Sequence, residues 1–183
     1  GLGDVYKRQD HMNVSYYLLI FDKFGADTLN DIFKMGEDSA KTTKKSTMMV
    51  ESHITYNQEL LLNDEVDINC VYFDHDKKRL QYKMEMIHKE KKYVASTFEA
   101  LALYVDLNER KVTEFEEEKV KIMDEFINKN KSQFSNAMSM SRATNFPLLI
   151  VYGDIGSVCF HGSLVQSGMM YVCSIRVGFS PDF

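Results

Sequence analysis

The chain is 183 residues long with a mass of 21.2 kDa, the length of one domain or of one domain with an appendage. Its 44% hydrophobic and 27% charged residues are those of a folded globular protein, and 27 acids against 22 bases, net −5, argue against a general nucleic-acid binder. Cys70, Cys159 and Cys173 are too scattered for a disulfide framework or a zinc site, no run reaches the roughly 18 apolar residues of a membrane span, and residues 1–20 lack a signal layout, so a cytoplasmic protein without membrane partner is expected.

Residues 1–9, Gly-Leu-Gly-Asp-Val-Tyr-Lys-Arg-Gln, resemble a translated sequencing-adapter segment and are set apart as a doubtful leader. Val14, Tyr17, Leu18, Phe21, Phe24, Gly25, Thr28, Leu29, Ile32 and Phe33 then recur at three- and four-residue steps, with Asp22, Lys23, Asp27, Asn30 and Asp31 between them. This predicts a helix over 14–35, about 22 residues or roughly 33 Å, with Asn13 as its N-cap and Gly36 as its stop. A basic, Thr-rich loop is expected from Lys41 to Lys45.

Beyond the loop the period falls to two. Met49, Glu51, His53 and Thr55 share one expected face of the next strand, and Val66, Ile68, Cys70 and Tyr72 one face of the strand after it. Leu80, Tyr82, Met84 and Met86 alternate with polar partners, and the turn at Lys89-Glu90-Lys91-Lys92 leads into a long strand from Tyr93 to Val105, so 79–105 reads as a hairpin. Val120, Met123, Phe126 and Ile127 return to helical spacing. A helix followed by four long strands predicts an α+β fold, an antiparallel sheet wrapped around one long helix.

The composition changes near 132–145. Every Lys and Arg except Arg142 and Arg176 precedes residue 137, as does every acid except Asp154 and Asp182, so the tail is neutral and the body carries the whole −5. The expected division is a domain over 10–134 and an appended tail over 135–183. The tail's apolar patches, Leu148–Tyr152 and Met169–Val172, read either as short strands packed on the body or as a segment foreign to it.

The opening Asp10-His11-Met12-Asn13-Val14-Ser15-Tyr16-Tyr17-Leu18 with Phe21-Asp22 resembles the signature of hotdog-fold acyl-CoA thioesterases, in particular the 4-hydroxybenzoyl-CoA thioesterase-like branch that includes the thioesterase segments of carnitine and betaine metabolism. Two further blocks carry the likeness over about 10–130: Ser46, Glu51, His53, Tyr56, Glu59-Leu60 and Asp64, then Val94-Ala95, Glu99, Val105-Asp106, Arg110-Lys111-Val112 and Phe115. The resemblance implies a hotdog fold, hydrolysis of a small or medium acyl-CoA without metal or cofactor, and a homodimer or homotetramer with its site at the subunit interface. The sequence departs from the family pattern at one place: Lys7 stands where the family has an acid, and Asp10 stands where it has a glycine. The resemblance also implies a strand ahead of the motif, hence a domain truncated at its N-terminus.

Thioester hydrolysis puts negative charge on the carbonyl oxygen, and the unpaired N–H groups at a helix N-terminus stabilise such charge. By resemblance the backbone of His11 to Val14 meets that oxygen, with Asn13 either a plain cap or part of the site. The second need is a carboxylate that attacks the carbonyl or deprotonates water. Asp10 is the local candidate, with Glu51 and Glu99 as alternatives that could serve a neighbouring subunit's helix. Met12, Val14, Tyr17 and His53 would line the substrate, and Lys78 and Arg79 would meet coenzyme A phosphates or simply form a solvated turn. A non-catalytic acyl-CoA-binding or assembly module is the competing reading. A carrier-dependent dehydratase would need the His53–Glu51 pair to face the helix. His11, His53, His75 and His88 form no metal set, and no Gly-x-Ser-x-Gly elbow or phosphate-cradling glycine loop occurs.

Overall fold

The computed structural model describes residues 11–132 and 134, and the backbone alone of 163–167 and 170–176. Asn13 opens the first helix: its backbone is extended (φ −66°, ψ 144°), and its side chain accepts the Ser15 N–H at 2.9 Å. The rod then runs without a break through α1 (Val14–Ile20), a π-helical segment (Phe21–Ala26) and α2 (Asp27–Ile32). In the π segment the Asp27 N–H reaches back to the Asp22 carbonyl, so one extra residue enters the turn. The buried stripe therefore passes from Tyr17, Ile20 and Phe21 to Gly25 and Leu29, and Phe24 is only half-buried.

The rod stops at Ile32, short of the expected Met35, and Gly36 is not its stop. Lys34 takes the left-handed conformation (φ 56°), its N–H reaches the Asp31 carbonyl at 3.2 Å, and the Met35 N–H reaches the Asn30 carbonyl at 2.6 Å. This is a Schellman ending built on lysine, with the apolar residue that follows it, Met35, packed into the core. Gly36 instead caps the start of α3 (Glu37–Thr43), so the expected loop is a short helix, tied by Glu37–Lys41 at 2.7 Å. Lys44 (φ 58°) closes it and releases the chain into the sheet.

The strands are β1 (Lys45–Tyr56), β2 (Glu65–His75), β3 (Arg79–His88), β4 (Val94–Asp106) and β5 (Lys111–Val112), followed by α4 (Glu117–Asn130) and two tail strands, β6 (Ser163–Ser167) and β7 (Met170–Arg176). All pairings are antiparallel in the order β1-β4-β3-β2-β7-β6, with β5 beside β4. Of the tail's two apolar patches, Leu148–Tyr152 lies outside the described residues, while β7 begins at Met170 and pairs with β2. Leu80, Tyr82, Met84 and Met86 on β3 and Phe98, Ala100 and Ala102 on β4 form the face that the rod covers. Phe21 stacks on Phe98 at 5.2 Å, and Gly25 lies so close to Met84 that a Cβ there would collide with its thioether.

Two bulges change faces that strict alternation does not foresee. In β1 the register shifts between Met49 and Glu51, so Met49 faces the helix while Glu51, His53 and Thr55 face away. In β2 the shift between Cys70 and Tyr72 turns Phe73 inward, where its ring lies 4.7 Å from Phe33, and leaves Tyr72 outside the core. Phe126 of α4 completes this triad, 5.2 Å from Phe33 and 5.6 Å from Phe73. Glu116, just before α4, binds Lys45 at 2.8 Å, Lys119 at 3.1 Å and the Tyr104 hydroxyl at 2.9 Å. Burial pushes its carboxyl up, but the hydrogen bonds from Lys45, its own backbone, Lys119 and Tyr104 outweigh this and hold it at about 2.

Phe33→Ala removes the centre of the ring triad and should cost about 3–5 kcal/mol in urea unfolding. For Glu116 the folded value lies below the ordinary 4.5, so its contribution is complete above that pH and fades as pH falls toward 2. The stability gap between the wild type and Glu116→Gln should therefore narrow over that window in acid melts, and a gap that stays constant would refute the network's role.

Candidate active site at the start of the central helix

The start of the rod is held by the segment between β1 and β2. Met12 N–H donates to the Leu60 carbonyl at 2.8 Å, Leu60 N–H donates to the Tyr17 hydroxyl at 3.2 Å, and His11 bridges antiparallel to Leu61. The Tyr93 hydroxyl anchors the same segment through the Glu59 carbonyl at 2.9 Å, and Tyr17 meets Tyr56 edge to face at 5.3 Å. These contacts fix Met12, which is buried, and leave Val14 at 56% exposure. Ser15 N–H is taken by the Asn13 side chain, yet the N–H groups of Asn13 and Val14 have no hydrogen-bond partner among the described residues. That pair of amides, at the positive end of the rod, is open to an incoming oxygen.

Glu59 is a carboxylate near this point that the sequence did not single out as catalytic. Burial raises the Tyr17 hydroxyl above its ordinary value, and the charges of Tyr93 and Glu59 add to the rise. Only the position of Leu60, bonded to both Met12 and Tyr17, brings Glu59 near the helix start, and that is a contact no local pattern encodes. Asp10 lies outside the described residues.

The other expected residues stand elsewhere. Glu51, His53 and Glu99 share the sheet face that points away from the chain's own helix, where His53 and Glu99 are direct cross-strand partners. Glu99 forms an ion pair with Lys83 at 3.1 Å, which accounts for its partial burial without a ligand. Since His53 faces outward, the geometry a dehydratase would need is not formed within one chain. Lys78 and Arg79 close the β2–β3 turn, their N–H groups donating to Asp76 Oδ1 at 2.8 Å, with Arg79 Nε on Oδ2 at 2.6 Å. They sit at the far end of β3 from His88, whose ring lies against Tyr93, about 30 Å away at 3.3 Å per residue. Cys70 is free, and burial pushes its thiol up to about 12, so it is no thiolate nucleophile.

A family model described as "Thioesterase-like superfamily" matches residues 7–127. The chain belongs to the Thioesterase-like superfamily. Solved structures give the same architecture at low identity. A Staphylococcus aureus protein in complex with CoA superposes with a TM-score of 0.62 at 22% identity, covering 76% of this chain and 87% of its own. A DHNA-CoA thioesterase from Staphylococcus aureus gives 0.60 at 11%, covering 68% and 85%. A 1,4-dihydroxy-2-naphthoyl-CoA thioesterase from Synechocystis gives 0.57 at 10%, covering 64% and 85%. No curated protein sequence matches. The thioesterase-like domain thus has the α+β hotdog fold, and no helix among the described residues is long and apolar enough to cross a membrane.

The cap of this domain is open to a direct test. Asn13→Ala should lower stability by about 1 kcal/mol, while Asn13→Ser should restore most of it. Equal losses in both, read from urea midpoints, would show that the side chain does more than cap.

Proposed function

We propose that this thioesterase-like protein is an acyl-CoA thioesterase that hydrolyses a small or medium acyl-CoA to free acid and coenzyme A. The reading includes its place near the 4-hydroxybenzoyl-CoA thioesterases, a homodimeric or homotetrameric assembly and a cytoplasmic setting. The observation that carries it is the pair of open amides at Asn13 and Val14, beside His11, in a domain of this superfamily. Donors already aimed at a developing oxyanion need no reorganisation, and one such donor is worth about 3 kcal/mol of barrier.

In this reading the thioester carbonyl sits over the start of α1, with Met12, Val14 and Tyr17 beside the acyl group. Asp10 or Glu59 takes a proton from water, the resulting hydroxide adds to the carbonyl carbon, and the C–S bond breaks with the electron pair leaving on sulfur. The protonated carboxyl then returns its proton to the thiolate. Alternatively the carboxylate itself adds to the carbonyl and the C–S bond breaks, giving an anhydride and the thiolate; water then opens the anhydride to the free acid and the enzyme's carboxyl, whose proton passes to the thiolate. Glu51, His53 and Glu99 face away from their own helix, so any part they play is in the site of a second subunit. The same holds for Lys78 and Arg79 toward coenzyme A phosphates, given their distance along β3.

One observation favours the competing reading, a non-catalytic acyl-CoA-binding module: Lys7 occupies the place where the family has its acid. The two are separated by thiol release from a panel of acyl-CoAs. Turnover of at least one substrate is expected, falling by about 100-fold or more in Asp10→Asn or Glu59→Gln with KM little changed. Acyl-CoA binding without any turnover would overturn the enzyme reading.

A further inference from the structure

His88, the last residue of β3, is 2% exposed and takes no part in the chemistry proposed above. Its backbone is fully used: the N–H donates to the Tyr93 carbonyl at 2.9 Å, and the carbonyl accepts the Lys92 N–H at 2.9 Å. Its ring Nδ1 accepts two more N–H groups of the same turn, from Glu90 at 3.2 Å and Lys91 at 3.1 Å. The Nδ1 lone pair is therefore engaged, and the ring's own proton sits on Nε2. A turn that needed only an acceptor here could be built with asparagine. What histidine adds is the second nitrogen.

That nitrogen is buried and makes no hydrogen bond among the described residues. It lies 3.4 Å from Asp64 Oδ1, within ion-pair reach but not aligned for a hydrogen bond. A buried N–H without an acceptor is costly, and the Asp64 carboxylate is the group placed to relieve it. The other carboxylate oxygen, Oδ2, accepts the Leu61 N–H at 2.8 Å, while the Asp64 N–H returns to the Leu61 carbonyl at 3.2 Å. Leu61 to Asp64 is thus a turn closed from both sides, with Asn63 in the left-handed conformation (φ 71°).

The same turn holds the start of the rod. Leu61 bridges to His11, and beside it the Leu60 carbonyl takes the Met12 N–H. The other end of the segment leans on the same imidazole: the Tyr93 ring lies 4.9 Å from that of His88, and its hydroxyl holds the Glu59 carbonyl. His88 is therefore joined to both ends of the segment from Glu59 to Asp64, which lies between β1 and β2 and has no ladder of its own. Any shift of that segment moves the Leu60 carbonyl and Met12, hence the neighbouring amides of Asn13 and Val14. It moves the Glu59 carboxylate at the same time. Catalysis by fixed donors is sensitive to displacements of about 1 Å.

We propose that His88 is a positioning residue of the thioester site: acting through Asp64, it fixes the segment from Glu59 to Asp64 and thereby the open amides and the Glu59 carboxylate. Its effect on rate rests on the thioesterase reading, whereas its hold on the helix start rests on geometry alone.

Two variants of the full chain test this. His88→Asn keeps an acceptor for Glu90 and Lys91 but has nothing to offer Asp64. Asp64→Asn keeps an oxygen for the Leu61 N–H but brings an NH2 group against the Nε2 proton. It leaves the His88–Tyr93 contact alone and, at 18% side-chain exposure, spares the core. Without substrate, hydrogen exchange at the Met12 and Leu60 amides should quicken about tenfold or more in either variant and no further in the double variant, while the amides of Glu90, Lys91 and central β3 and β4 stay protected. With an acyl-CoA that the wild type turns over, kcat should fall about tenfold or more at a KM within about twofold. Unchanged exchange at Met12 and Leu60, an equal rise throughout β3 and β4, or faster exchange with kcat unaltered would overturn the positioning role. An inactive wild type would strike the thioesterase reading instead, and the exchange measurement, which needs no substrate, still decides whether His88 holds the helix start.

Discussion

The fold rests on the closeness of one helix to one sheet. At Gly25 the rod lies against Met84 so tightly that no side chain fits between them, and a turn earlier Phe21 stacks on Phe98. Close packing at these two points fixes the height of the rod above β3 and β4. The π-helical segment spans both, and Gly25, four residues after Phe21, continues the buried stripe. A side chain at position 25 would have to displace Met84 or lift the rod. A core packed to crystal-like density does not accommodate such a change cheaply.

That constraint also explains which parts of the protein were legible in the sequence. The helix, four of the strands and the hairpin over 79–105 follow from periods of 3.6 and 2, because each buries one face against the other. β3 is the clearest case, with Leu80, Tyr82, Met84 and Met86 all buried. The bulges were not legible. At Val50 and Val71 a single extra residue inverts the facing of everything beyond it, while the local pattern of apolar and polar residues stays compatible with either register. Hence strict alternation puts Met49 and Glu51 on one face although they lie on opposite ones, and puts Tyr72 on the face of Cys70 where the strand in fact turns Phe73. The helix end departs from the expected Gly36 stop for a related reason. Glycine is the usual residue at a left-handed ending, but Lys34 takes the position, held by its own N–H on the Asp31 carbonyl, by the Met35 N–H on the Asn30 carbonyl and by the ion pair of Lys34 with Glu118 at 3.0 Å.

The candidate site was legible to the extent that it is local. Asn13, Val14 and the first turn of α1 can be recognised from a cap followed by an apolar period. Glu59 could not be, since it nears them only through the non-local docking of Leu60. Conversely Glu99 is a charge in a largely apolar strand. Its partner, Lys83, stands on the neighbouring strand at a register that only the assembled sheet defines.

The rod is also an electrostatic object with unlike ends. Its first turn presents open amides, and at its last turn the backbone's own negative end is joined by Asp31, with Asp22 and Asp27 upstream. A helix selected for stability alone would carry acids first and bases last. Here α1 has no acid in its first turn and α2 has no base in its last. The cost is offset by packing of the buried stripe and, at the acidic end, by the approach of the Asp31 carboxylate to Gly36, which opens the next helix. The open amides at the start suit an oxyanion. Local disagreement between propensity and fold of this kind is the mark expected of a site rather than of a scaffold.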